Sequence, residues 1–463
     1  MRTLLLTIAI LAAALTVLVA PGSDALAQTP SPAHVPARAS SVRVIEQRHQ
    51  ITFGDEIRVT LEADAGTGEI VAVKGWFRPR GPGRISSYTY PDFVPGQRIS
   101  ASFSIKTGDT TYFPPGTEFD YRFELTDSSG NTTQTATQTV EYLDPRVSWK
   151  RQSRGPLAAV HYNLPDDRVA QLLDAAAARL PELARLTGAD AERPYKAVLY
   201  RSVSDATPAF PRVSEAATDR QFFAGFAQPE FGLFVLGAPE VSTFVHELTH
   251  LFVDQALPSP LAAPMPSWLN EGLAVWAEGD GLQSLNSRIA SAARSNRLLK
   301  LRAMGSIPGR ASDISLFYPQ AGAFVGYLNT RFGPNGLASL LRHMNEGRKV
   351  YDAAQEAWGV SLDDVENEWR ASLGARPLPT PSPTTAPSSS PASTPGNSST
   401  ATPPTTAAPT PAPASTAIPA TQTPSSSGTS LPTWALAAIA GGACLVVALA
   451  FALARRRRRQ GTV

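Results

Sequence analysis

The chain has 463 residues, enough for two or three domains with a core each, which excludes a single small module. Its formal charge is +2, but five arginines sit together at 455–459 and the remainder carries −3, so no basic surplus is left for phosphates and a nucleic-acid role is excluded. The one cysteine, Cys444, excludes internal disulfides and any cysteine-based metal site.

Met1-Arg2, an apolar run over residues 3–20, a Pro21-Gly22 break and Ala25-Leu26-Ala27 read as a signal peptide of residues 1–27. An uncleaved N-terminal anchor is the alternative, because the apolar run exceeds the usual ~7 to 15 residues. Residues 41–145 read as strands. Ile57, Val59 and Leu61 alternate with Arg58, Thr60 and Glu62, and Phe119, Tyr121, Phe123 and Leu125 alternate with Asp120, Arg122 and Glu124. Turn residues at Gly66-Thr67-Gly68, Pro114-Pro115-Gly116 and Ser128-Ser129-Gly130 divide them, which predicts an all-β sandwich of about seven strands. Residues 115–131 resemble the late hairpin of immunoglobulin-like or fibronectin type III-like domains, a likeness of fold only. With no convergent catalytic set, this module is expected to be a spacer or a binding module.

The period changes across residues 149–374. Strand-like runs at 157–163 and 197–200 flank a helical stretch at 165–187 interrupted at Pro181. Residues 222–227 and 231–236 read as a hairpin around Gln228-Pro229-Glu230, and from Ser242 to Leu373 nearly everything is helical. The expected fold is multidomain: an N-terminal all-β sandwich, then an α+β domain of small sheet and helical lobe.

Residues 376–430 are almost wholly Pro, Ser, Thr and Ala and hold 14 of the 41 prolines, which predicts a disordered stalk. Residues 434–454 carry no charge, reach the ~20 residues needed to cross hydrocarbon, and run directly into the cationic tail at 455–459. The expectation is a single-pass chain in the cell membrane, N-terminus and folded domains outside, tail 455–463 in the cytoplasm.

His246-Glu247-Leu248-Thr249-His250 is an HExxH motif in an apolar, helix-compatible setting. Histidines at i and i+4 share a helix face, so both imidazoles reach one Zn²⁺ while Glu247 projects beside them toward water. A catalytic zinc takes a third protein ligand and keeps an open position. Glu271 supplies it from a second helix expected to begin at Trp268 behind a Ser267 cap and to end at Gly279. Glu278, seven residues further along the same face, is the rival ligand, a partner for a ligating imidazole, or a solvated acid. Asp254, four residues after His250, either orients that imidazole or is an exposed helix-end acid.

These motifs resemble the gluzincin metallopeptidases, specifically the bacterial peptidase MA-like domains, over residues 149–374. The resemblance implies His246, His250 and Glu271 as ligands of one catalytic zinc and Glu247 as general base. It implies Tyr318, within Tyr318-Pro319-Gln320-Ala321, as an oxyanion donor, the alternative being a packed helix-start tyrosine. It also makes residues 231–236 the strand that pairs with extended substrate. One departure is Val275, where the thermolysin pattern has an Asp four residues after the third ligand, leaving the partner of His246 open. The expected function is a membrane-anchored extracellular zinc metallopeptidase acting on polypeptides. The alternatives are an inactive cell-surface adhesion or binding protein on the same fold and a zinc hydrolase of non-peptide amides.

Overall fold

A computed structural model of the chain describes residues 42–81, 84–108, 111–211 and 225–379. The signal peptide, the stalk from residue 380 onward, the apolar segment 434–454 and the arginine tail lie outside the described residues. Among the described residues no helix is long and apolar enough to cross a membrane.

The alternating segments form two facing antiparallel sheets. Strands β1 (Arg43–Thr52), β2 (Glu56–Asp64) and β5 (Arg98–Lys106) make one, in the order β1-β2-β5. Strands β3 (Ile70–Pro79), β4 (Ser87–Thr89), β6 (Glu118–Asp127) and β7 (Thr132–Gln134) make the other, in the order β4-β3-β6-β7, with β8 (Gln138–Glu141) also pairing β6. Period two puts every second side chain inward. Ile57, Val59 and Leu61 of β2 and Phe119, Phe123 and Leu125 of β6 are accordingly sealed from solvent in one core.

A third sheet follows, built from β9 (Lys150–Arg154), β10 (Leu157–His161), β11 (Tyr195–Leu199), β12 (Gly225–Gln228) and β13 (Leu233–Leu236) in the order β12-β13-β11-β10-β9. Its three inner strands are parallel and its two outer strands antiparallel to them. Helices α1 (Asp166–Ala177) and α2 (Leu180–Thr187) and the short α3 (Val203–Ala206) lie between strands. Pro181 stands in the first turn of α2, so the helical stretch breaks before that proline. The chain ends in α4 (Val241–Ala256), α5 (Ser267–Ala277), α6 (Leu282–Arg294), α7 (Ala311–Asn345), α8 (Val350–Trp358) and α9 (Leu362–Ser372). Gly333, at φ +70°, kinks α7. Leu378, assigned from sequence to the stalk, is still tied to α9 by its N–H donating to Asn367 Oδ1 at 2.7 Å.

Both faces of the five-stranded sheet are covered, as buried parallel strands require. Ala197, Leu199, Phe234 and Leu236 pack under α1, α2 and α4. Val198, Tyr200, Leu233 and Val235 point the other way, with Phe53 and Tyr112 of the sandwich packed against their cluster. The Lys196 ammonium donates to Gly116 O at 3.0 Å and to the carboxylates of Glu118 and Glu141 at 2.6 and 2.9 Å, and the Tyr112 hydroxyl donates to Ala209 O at 2.7 Å. The sandwich is thus fixed against the sheet and does not stand off as a free spacer. Gly116 sits at a close approach of the two modules, at φ +88°, and a Cβ there would come within 2.7 Å of Val198 Cγ2. Gly116→Ala is therefore expected to cost about 1–3 kcal/mol of unfolding free energy, from backbone strain and overpacking together. Urea denaturation measures it, and an unchanged midpoint would mean the modules do not press together here.

Candidate metal centre

Helix α4 is buried without interruption from Phe244 to Val253, because the sheet lies on one side and the helical lobe on the other. His246, Glu247 and His250 are consequently 4%, 0% and 5% exposed. The two imidazole centroids are 5.0 Å apart, as one turn of helix dictates. Helix α5 brings Glu271 opposite them. The helix begins at Ser267 with Pro266 in the cap position, so Ser267 is not the side-chain cap expected from sequence. Its first amides are instead satisfied by the carbonyls of Gly305 and Met304, at 3.0 and 3.1 Å. The next residue after Glu271 is Gly272, and a Cβ there would meet Ala321 O at 2.7 Å and Val325 Cγ2 at 2.6 Å on α7. Close approach of α5 and α7 beside the ligand depends on that glycine.

The ligand atoms of His246, His250 and Glu271 all lie within 4.8 Å of one another. Glu271 Oε2 is 3.5 Å from His246 Nε2 and 3.7 Å from His250 Nε2. Those gaps exceed a charged hydrogen bond and approach the roughly 3.3 Å edge of a tetrahedron with bonds of ~2.0–2.1 Å around one ion. Each imidazole is held through its far nitrogen: His246 Nδ1 lies 2.8 Å from Glu278 Oε1, and His250 Nδ1 lies 3.0 Å from Asn270 Oδ1. Since both partners are acceptors, Nδ1 carries the proton and the Nε2 lone pair faces the centre. His250 Nε2 is buried with no hydrogen-bond partner, and burial lowers the pKa of that ring, against the pull of Glu271, keeping it in the neutral, ligating form.

Glu278 therefore fills the place that Val275 leaves empty in the thermolysin spacing, reaching His246 from two turns along α5 rather than one. At His250 the orienting group is Asn270, and Asp254 is an exposed helix-end acid, the second of the two roles expected for it. Sequence reasoning missed Asn270; its position immediately before the candidate third ligand was the available signal. The site is also anchored from behind. Arg179, between α1 and α2, donates to Ala277 O at 2.8 Å and to Glu182 at 3.0 Å. Its guanidinium fills the space beside Gly279, where a Cβ would come within 2.2 Å of Nη2. With Gly279 at φ +89°, the turn that carries Glu278 is clamped on both sides.

Glu247 is fully buried, and neither carboxylate oxygen closes a full hydrogen bond. Burial pushes its pKa up to about 8; His246 and, more weakly, the Ala227 N–H of β12 pull it down, whereas Glu271 and Glu278 raise it further. Strand β12 passes directly over it: a Cβ on Gly225 would come within 3.2 Å of Glu247 Cγ. Strand β13, residues Leu233–Leu236, has β12 on one side and β11 on the other, so the expectation that residues 231–236 offer a free edge is corrected: among the described residues the sheet edge is β12.

Tyr318 is 2% exposed in the core of the helical lobe, its ring 5.3 Å from Phe317. Among the described residues outside the motif, His49 Nδ1 meets the Tyr121 hydroxyl at 2.9 Å, His343 pairs with Glu346 and Glu356, and His161 Nε2 lies 3.4 Å from Gln152 Nε2. Glu278→Ala is expected to weaken metal binding about 10–100-fold, with Arg179→Ala losing a smaller factor through the same contact. Competition against a chromogenic chelator reads both; unchanged affinity in Glu278→Ala would remove the role of the His246 contact.

Residues 175–375 match the family described as the Peptidase MA superfamily. No curated protein matches the chain. Among solved structures, an M1 zinc metallopeptidase from Deinococcus radiodurans is similar at 15% identity and a TM-score of 0.32, over 72% of this chain and 93% of that one. A mutant of the Deinococcus radiodurans M1 enzyme bound to a Tyr-Ser-Ala substrate gives 16% and 0.30, over 71% and 93%. An aminopeptidase N family protein from Idiomarina loihiensis gives 10% and 0.29, over 69% and 71%. The segment that carries HExxH, Glu271 and the helical lobe is thus similar to the Peptidase MA superfamily, which supports a gluzincin-like peptidase domain.

Proposed function

We propose that this protein is a zinc metallopeptidase that hydrolyses peptide bonds, with His246, His250 and Glu271 as ligands of one zinc and Glu247 as general base. The observation that carries the proposal is a fully buried Glu247 carboxylate beside three buried donors whose two imidazoles are both fixed through Nδ1. The donor set fits the ion: two nitrogens and one carboxylate oxygen at tetrahedral-edge separations, with one coordination position left for water or substrate. A bound zinc supplies Lewis acidity toward a carbonyl oxygen and acidifies water.

The residues of the chain do the rest. Glu247, fully buried beside the three donors, would be favoured in its ionised form by a bound dication. It then takes a proton from the attacking water and delivers it to the departing amide nitrogen. Burial keeps bulk water from competing for that proton. Strand β12 offers edge N–H and C=O groups to an extended peptide running beside Glu247, which supports a polypeptide as substrate. Tyr318 is proposed to donate to the oxyanion from α7, whose packing against α5 keeps the helical lobe close to Glu271. The signal peptide at residues 1–27 and the apolar segment 434–454 ending in five arginines support an extracellular domain anchored to the cell membrane.

Glu247→Ala is expected to retain zinc and lose peptide hydrolysis by at least about 10³-fold, whereas His250→Ala loses both. Paired metal analysis and cleavage of a diverse peptide library test this; full activity in Glu247→Ala would refute the assignment. Tyr318→Phe is expected to lower kcat about 10²–10³-fold with KM nearly unchanged. A steady-state comparison decides it, and wild-type kcat would leave Tyr318 as a packing residue.

A further inference from the structure

A cleft of ≈ 440 Å³ lies where the sandwich meets the peptidase sheet. Its apolar wall is formed by Leu251, Phe231 and Tyr195, and its rim by Arg193, Asp254 and Arg80 of the sandwich. Both elements that line the catalytic centre run into it. Leu251 and Asp254 continue α4 past His250, and Pro229–Phe231 continues the chain from the end of β12. Asp254 is four residues beyond His250 on the helix, roughly 6 Å of rise, which equals about two residues of extended peptide.

The charges in the cleft are unevenly satisfied. Arg80 and Lys196 are both bound to Glu118, at 2.9 and 2.6 Å, and are further paired by Asp120 and Glu141, respectively. Asp254 and Arg193 have no ion pair among the described residues. Asp254 is exposed at the mouth of the cleft, close enough to Arg193 and Glu230 to feel both charges, so its carboxylate is open to a cation arriving from solvent. An apolar wall beside one unpaired carboxylate is the arrangement of a side-chain pocket.

We propose that this cleft recognises the substrate polypeptide two to three residues from the bond that is cut, Asp254 receiving a basic side chain whose stem lies against Leu251 and Phe231. This rests on the peptidase function proposed above. It makes the enzyme selective for extended polypeptides over di- and tripeptides.

The full-length protein is assayed on decapeptides in which a single Lys is moved along an otherwise neutral sequence. Wild type is expected to favour Lys two or three residues from the cut bond by about tenfold in kcat/KM over the Ala peptide. In Asp254→Asn that preference disappears through KM, with kcat and hydrolysis of the Ala peptide unchanged, and Asp254→Lys shifts it to a Glu-containing peptide. No positional preference in wild type, or the same preference in Asp254→Asn, overturns the proposal. If zinc-loaded wild type cuts nothing, the peptidase function fails, and fluorescence anisotropy with the same peptides decides the cleft separately. Lys-dependent binding lost in Asp254→Asn sustains it; equal binding of Lys and Ala peptides, or none, refutes it.

Discussion

The arrangement depends on one electrostatic constraint: carboxylates gathered in a dry place. Glu247 and Glu271 are both fully buried and Glu278 stands just behind them, and the ionisable groups acting on Glu247 are His246 and these other acids. Isolated buried carboxylates are costly enough that they normally take up protons, which the upward shift of Glu247 to about 8 expresses. A divalent cation between the two imidazoles would remove that cost and favour the ionised form of Glu247, which would link metal binding and proton transfer through the same charge.

Everything around the site holds that concentration of charge in place. The sheet supplies a flat apolar support for α4, and β12 closes over Glu247 with a glycine at the point of contact. On the other side α5 approaches α7 through Gly272 and is fixed at its end by Arg179. The sandwich contributes from the far face of the sheet. Phe226 of β12 is covered by Tyr112, so the strand that overlies Glu247 on one side rests on the N-terminal module on the other. The two modules share one structural job even though the chemistry lies in one of them.

What the sequence made legible is what local periodicity determines. Alternating residues such as Ile57 and Phe119 face the sandwich core, the hairpin around Pro229 is present, and the i and i+4 spacing of His246 and His250 puts them on one helix face. What escaped depends on contacts between distant segments. Asn270 reaches His250 across 20 residues and Glu278 reaches His246 across 32, and helix spacing alone does not choose between them and Asp254. The edge position of β12 is a property of sheet order, invisible in either strand of the hairpin by itself. Strand β9 was missed because its residues, Lys150 to Arg154, are nearly all polar and exposed, so it carries no apolar alternation.

The most direct test of the account is zinc-edge X-ray absorption of the purified protein. It predicts one zinc per chain with two imidazole nitrogens at ~2.0–2.1 Å and one or two oxygens at similar distance, and loss of one imidazole from the spectrum of His250→Ala. A protein that holds no stoichiometric zinc, or a spectrum without imidazole scattering, would contradict it.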